Sequence, residues 1–145
     1  MKKVLIIAAN YYKKNTESLL LDSKNLLKKA NIKYKYIYVP GIFEIPVVIS
    51  KYIKKYDGFV ALGVVIKGQT PHFTFICKST FNAIMNLSIK YKKPIGNGII
   101  TALNSKQATV RSGSKNKILN GKYKNKGKGG EAAKAVITVL KNVPK

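Results

Sequence analysis

Only one cysteine, Cys77, occurs in the 145 residues, so no internal disulfide can form. That agrees with a reducing cytoplasm. Histidine is equally scarce, since His72 stands alone. One histidine and one cysteine cannot furnish the usual tetrahedral zinc site, and no carboxylate cluster suggests another metal. No apolar run approaches the roughly 20 residues that a membrane-spanning helix needs, so no membrane partner is expected. Met1 to Asn10 sets a basic front before a short apolar stretch, as a weak secretory signal would. It runs directly into Tyr11-Tyr12-Lys13-Lys14, with neither a longer apolar segment nor a clear cleavage site, and reads instead as a buried first strand. Ser-His-Asp hydrolysis lacks its Gly-x-Ser-x-Gly elbow. Gly121 to Gly130 has no strand leading in and no Lys-Ser or Lys-Thr at its end, so it is a solvated connection rather than a phosphate loop.

Acidic residues are few as well: five against 28 basic ones, for a net charge of +23. Such an excess first suggests nucleic acid. Its distribution argues otherwise, because lysines occur in every segment and no separate basic arm exists. All the basic residues but Arg111 are lysine, and Asn, Ile and Tyr are plentiful, the usage expected of an AT-rich coding sequence. The charge is mostly background; it implies weak, salt-sensitive attraction to polyanions and no specific nucleic-acid partner. With 46% apolar residues the chain is globular, and its length fits one domain over residues 1–145.

The apolar pattern alternates between strand and helix periods. Lys3 to Ala9 is a continuous apolar run, as a central parallel strand requires. Thr16 suits the N-cap of a helix reaching Ala30, with Leu19, Leu20, Leu26 and Leu27 at helical spacing. Ile32 to Val39 alternates Lys with Tyr and Ile, as on an edge strand. Pro46 fits the first turn of a second helix ending near Lys55, and Phe59 to Gly63 is a second buried strand. A loop, Lys67 to Pro71, precedes a long helix on which Phe73, Ile76, Thr80, Ala83, Ile84, Leu87 and Tyr91 share a face. Pro94 to Thr101 is the fourth strand, Asn104 or Ser105 caps a short helix through Arg111, and Glu131 to Leu140 forms the last helix. Ser112 to Gly130, rich in Lys, Gly, Asn and Ser, reads as a mobile loop. Alternating strands and helices mean an α/β fold, a parallel sheet covered on both faces, whose ligands bind beyond the carboxyl ends of the strands. Asn10-Tyr11, Gly41 to Glu44, Val64 to His72 and the residues from Ala102 onward fall at those ends.

Within these segments His72 begins a helix and can give and take a proton near neutrality; the alternative is a helix-start residue bonded to backbone. Glu44 can accept hydrogen bonds from a polyol, or cap the helix whose first turn holds Pro46, and unaided the cap is the simpler reading. Arg111, the sole arginine, can grip phosphate through a bidentate fork or be a solitary surface group. Gly68-Gln69-Thr70 can present N–H groups and a hydroxyl to an anion, although short Gly-containing loops are common.

Two segments carry more information than any single residue. Val39-Pro40-Gly41-Ile42-Phe43-Glu44-Ile45-Pro46 and Ala61-Leu62-Gly63-Val64-Val65-Ile66-Lys67-Gly68-Gln69-Thr70-Pro71-His72-Phe73 resemble the two signature segments of lumazine synthases, at similar spacing. The likeness continues through Pro94 to Thr101, Gln107-Ala108 with Arg111, and Gly129-Gly130-Glu131-Ala132-Ala133, and so covers essentially the whole chain. The resemblance implies a three-layer αβα sandwich, flavodoxin-like, with a four-stranded parallel sheet. It also implies pentamers with active sites between neighbouring subunits. Tyr11 would stand against the pyrimidine ring of one substrate, and Ile42, Phe43 and Glu44 would hold its ribityl chain. Val64, Val65 and Ile66 would line the pyrimidine pocket, Gln69 and Thr70 would meet the phosphate of the second substrate, and His72 would carry protons. From the adjacent subunit, Asn97 would border the pyrimidine and Arg111 would grip the phosphate. No cofactor is called for.

Three departures from the family pattern stand out. Lys67 replaces a usual Arg, Asn97 a usual Phe, and the connection from Arg111 to Glu131 is several residues longer. The second phosphate lysine therefore falls on Lys128 by distance from Glu131, or on Lys126 by the Asn-Lys-Gly match, with Lys128 favoured. Since extra residues in this loop accompany smaller assemblies in the family, the expected particle is a homo-oligomer, a pentamer or decamer that does not close into a shell.

Overall fold

The computed structural model describes residues 1–113, 118–119, 122–123 and 127–144. Two continuous apolar runs form the middle of its main sheet: β1 (Lys3–Ala9) and β3 (Gly58–Ile66). Outside them lie β2 (Lys33–Val39) and β4 (Ile95–Ala102), all parallel in the order β2-β1-β3-β4. The alternating Lys/Tyr pattern is therefore an edge strand, and its side chains are mostly exposed. A central strand must be apolar on both sides, and Val4 to Ala9 are all buried.

Strand alternation divides that core into two layers. Val4, Ile6 and Ala8 pack with Leu19, Leu20 and Leu27 of α1 (Lys13–Lys29) and with Ala132, Ala133 and Val136 of α5 (Lys128–Asn142). Leu5, Ile7 and Ala9 face Ile45 and Ile49 of α2 (Ile45–Tyr52), with Cys77 and Ile84 of α3 (His72–Tyr91). Helices on both faces make the three-layer, flavodoxin-like sandwich. Alpha-helix α4 (Ser105–Ser112) and a short antiparallel pair, β5 (Ile118–Leu119) and β6 (Lys122–Tyr123), complete the described elements. Glycine permits the closest contact between layers: a Cβ on Gly96 would collide with the Ala132 carbonyl of α5.

The helix starts depart from the sequence reading where small or polar residues serve tertiary packing. Thr16 is not the N-cap of α1, which begins three residues earlier. Its buried hydroxyl donates 2.7 Å to the Ala9 carbonyl and ties the helix to the end of β1. The fifth helix begins at Lys128 rather than Glu131, because Gly129 fits directly against the backbone of Leu19 and its carbonyl accepts a 2.8 Å bond from Ser23. Of the expected mobile loop, residues 112 and 128–130 are helix and 118–119 pairs with 122–123 as short strands; 114–117, 120–121 and 124–126 lie outside the described residues. Helix α2 stops at Tyr52 rather than near Lys55, where the chain turns through a Lys55 N–H bond to the Tyr52 carbonyl.

Candidate active site at the carboxyl ends of the strands

Strand ends are clamped before they can present anything. The Asn10 N–H donates 3.0 Å to the Val39 carbonyl, joining the exits of β1 and β2, and the Lys67 N–H donates 2.8 Å to the Ala102 carbonyl, joining those of β3 and β4. Beyond β1 stands Tyr11, 77% exposed and edge-on to Tyr12. Beyond β2 the chain makes a single 3-10 turn, Ile42–Glu44. Ile42 is its buried anchor: a Cβ on Gly63 of β3 would lie 2.7 Å from Ile42 Cγ2 and 3.1 Å from Ala9 Cβ. Gly63 thus seats the turn on the sheet, leaving Phe43 59% exposed. Glu44 folds back and accepts the Gly41 N–H at 2.9 Å. The carboxylate thus closes the 3-10 turn and makes no cap bond to α2, the helix that holds Pro46, which corrects the simpler sequence reading; its second oxygen offers lone pairs to a hydroxyl-bearing ligand.

The exit of β3 supplies the floor. Val64 is buried, Val65 and Ile66 are half-buried, and Lys67 to His72 are exposed. Gly68 has open space where a side chain would be. Thr70 Oγ1 accepts a long 3.4 Å bond from the His72 N–H, and His72 is the first residue of α3. That bond runs to a side-chain hydroxyl rather than to backbone, and the His72 side chain is exposed to solvent. A hydroxyl, an amide and an imidazole therefore share one short loop beside an apolar strand end, a combination suited to anion binding and proton transfer.

The remaining candidates lie on β4, α4 and α5. Asn104 is the N-cap of α4, accepting the Gln107 N–H at 2.9 Å, while Gln107 Oε1 accepts the Leu103 N–H at 2.9 Å. This reciprocal lock, an Asn-x-x-Gln pattern that selects Asn104 over Ser105 as the cap, fixes α4 and the side chain near its end. Arg111 projects back, with Nη1 donating 3.0 Å to the Thr101 carbonyl of β4. Asn97 lies early in β4, opposite Ala61, with its Oδ1 accepting the Ile99 N–H at 3.0 Å. It is exposed and well back from the carboxyl rim. Lys128, half-buried, begins α5 just after Gly127, which packs on the Ser112 carbonyl next to Arg111. Lys126 lies outside the described residues. Within one chain the structure thus gathers Tyr11, Ile42 to Glu44, Val64 to Ile66 and Gln69 to His72 at the rim of β1, β2 and β3. Asn97 and Arg111 lie on the β4 edge, Arg111 on the carbonyl of Thr101, which pairs with Val65 of β3.

Chemistry elsewhere in the fold is sparse. Among the described residues no three His, Cys, Asp or Glu side chains converge as metal ligands, and no helix is long and apolar enough to cross a membrane. Burial pushes the Cys77 thiol up, making the buried sulfur a poorer nucleophile.

A doubly covered parallel sheet, open at its strand ends to solvent and lined there by aromatic, amide and imidazole groups, defines an α/β enzyme acting on small molecules. Comparison with known sequences narrows this class. The family described as 6,7-dimethyl-8-ribityllumazine synthase matches residues 1–143. A protein of that name from Agrobacterium fabrum is 38% identical, with the alignment covering 94% of this chain and 91% of the relative. Its namesake from Novosphingobium aromaticivorans is 39% identical over 97% and 95%, and that from Bartonella tribocorum 39% over 94% and 87%. The chain belongs to the 6,7-dimethyl-8-ribityllumazine synthase family, enzymes of riboflavin biosynthesis in the transferase class.

Proposed function

We propose that the whole chain, residues 1–145, works as one unit in a cytoplasmic homopentamer, or a decamer of it, and condenses 5-amino-6-(D-ribitylamino)uracil with 3,4-dihydroxy-2-butanone 4-phosphate. The pyrimidine amine attacks the ketone and water leaves, giving an imine; inorganic phosphate leaves by elimination; the ribityl-bearing nitrogen then closes the ring with loss of a second water. Orientation, anion binding and proton transfer suffice for these steps, and no covalent nucleophile or cofactor is required. Tyr11 covers the pyrimidine, Val64, Val65 and Ile66 line it, and Asn97 of a neighbour borders it. Ile42, Phe43 and Glu44 hold the ribityl chain, the free lone pairs of Glu44 accepting from its hydroxyls. Gln69 and Thr70 bind phosphate with Arg111 and Lys128 of the neighbour, and His72 moves the protons.

The observation carrying this reading is the exposure of the candidate groups at the strand ends. The His72 loop beyond β3 is exposed, and Arg111 sits exposed on the β4 edge, so both stand open to a ligand and to a partner surface. Exposed apolar side chains supply one: Phe43 and Val47 by α2, with Phe75, Met85 and Ile89 along α3. A groove of about 340 Å³ between these helices, lined by Phe43, Pro46, Val47, Ser79, Thr80 and Ala83, ends on the buried Thr80 hydroxyl, which has no hydrogen-bond partner among the described residues. Mixing the protein with both substrates and following lumazine absorbance tests the activity. Equal amounts of phosphate and lumazine are expected; a folded oligomer that releases neither overturns the proposal.

A further inference from the structure

We propose that the opposite end of the sheet holds a second ligand site, for a small molecule joining a planar aromatic ring to a phosphate or diphosphate. A cavity of about 430 Å³ opens there, lined by Met1, Lys3, Lys28, Asn31, Ile32, Lys33, Tyr34, Lys35 and Tyr56. These residues lead into β1, β2 and β3 or close α1, so the cavity lies at the amino ends of the strands, away from Tyr11, Thr70 and His72. Its volume is within the range that holds a small organic ligand, about 300–1,000 Å³.

Two features select the ligand. The first is charge of one sign: four lysines line the cavity and none of the five acidic residues does. Asp57, next to Tyr56, has Oδ2 accepting the Lys3 N–H at 2.8 Å, so one carboxylate stands beside the four ammonium groups. A helix carboxyl end normally repels anions, and α1 ends here. Its terminal carbonyls are occupied, however: those of Leu26, Leu27 and Lys28 accept the N–H groups of Ala30, Ile32 and Asn31, each at 3.0 Å. Four ammonium groups against one nearby carboxylate keep the balance positive. The second feature is the pair of half-buried tyrosines, Tyr34 and Tyr56, which offer ring surface to a planar group. The Lys3 ammonium lies 5.9 Å from the centre of the Tyr56 ring, so cation and aromatic wall meet. Buried Ile32 closes the apolar side. Lysines scattered over the surface would attract any polyanion; lysines around a concave wall of two aromatic rings discriminate for an anion that carries a ring of its own.

The test is calorimetric titration of the assembled protein with ADP, inorganic pyrophosphate and adenosine at fixed salt. ADP is expected to bind once per chain and more tightly than either fragment. Lys28→Gln/Lys33→Gln should weaken ADP about tenfold or more, as loss of two phosphate contacts implies. Lys51→Gln/Lys134→Gln, which removes equal charge away from the cavity, should leave it nearly unchanged. Tyr34→Leu should weaken ADP while sparing pyrophosphate. Arg111→Ala should not alter ADP affinity, which keeps this site independent of the proposed reaction site. Equal losses in the two double-lysine variants, or a single-stranded oligonucleotide bound more tightly than ADP with the same insensitivity, would reduce the cavity to diffuse charge and overturn the proposal. Loss of ADP binding with Arg111→Ala would move the ligand to the strand-end site and overturn it equally.

Discussion

Replacing Arg111 tests the division of labour across the sheet. In the isolated chain one guanidinium nitrogen, Nη1, is committed to the Thr101 carbonyl at 3.0 Å, while the side chain stays exposed. That bond aims the group and leaves its other N–H donors for a phosphate. Two charge-assisted bonds at about 1.5 kcal/mol each would contribute about 3 kcal/mol, or roughly a hundredfold in kcat/KM. Arg111→Ala should therefore lose about two powers of ten in kcat/KM for the sugar phosphate, chiefly through KM, with kcat/KM for the pyrimidine falling far less. Arg111→Lys keeps the charge and forfeits the fork, so about tenfold should be lost. Steady-state kinetics with each substrate varied in turn, on protein whose oligomeric mass is unchanged, reads both. The stability cost should be small, because an exposed side chain loses one neutral acceptor. Unchanged kinetics for Arg111→Ala in an intact oligomer would refute the assignment.

His72→Ala should slow turnover by up to about a hundredfold while leaving both Michaelis constants within a fewfold, as loss of a proton carrier requires; collapse of binding instead would make it a binding residue. Light scattering should report a mass near 80 kDa, five chains of 16.1 kDa, or twice that, and a shell-sized particle would contradict the expected small assembly. At high pH, Tyr38 should be among the last phenols to ionise. Its hydroxyl donates 2.7 Å to Glu17, and that bond, with lesser help from burial and the Glu17 charge, pushes its pKa up to about 12. Because the folded value is raised, the stabilisation from this pair is complete below pH 10 and disappears as pH rises towards 12. Tyr38→Phe should remove that step from an ultraviolet phenolate titration; an unchanged step would disprove the pairing.

Much of the architecture was legible because periodicity records burial. A run such as Val4 to Ala9 can be apolar on successive residues only if both sides of a strand are covered, which placed β1 centrally, and the Lys/Tyr alternation of β2 marked an edge. The strand-end rule then places Tyr11, Glu44 and His72 near one rim without any likeness to a family. Boundaries were less legible where one side chain answers to a distant backbone. Thr16 reads locally as a cap, but the Ala9 carbonyl claims its hydroxyl. Gly129 and Gly130 read as loop because glycine is a poor helix former, yet absence of a side chain is what lets α5 lie against α1.

The order of residues alone determined the elements, the doubly covered sheet and the identity of the chemically distinctive groups, because backbone propensity and apolar spacing are local. Only the tertiary structure decided that Arg111 turns back to Thr101, that Gly63 seats Ile42 under an exposed Phe43, and that four lysines and two tyrosines converge at the opposite pole. Those facts depend on which surfaces meet across many residues of chain, and no local pattern encodes a meeting between segments that far apart.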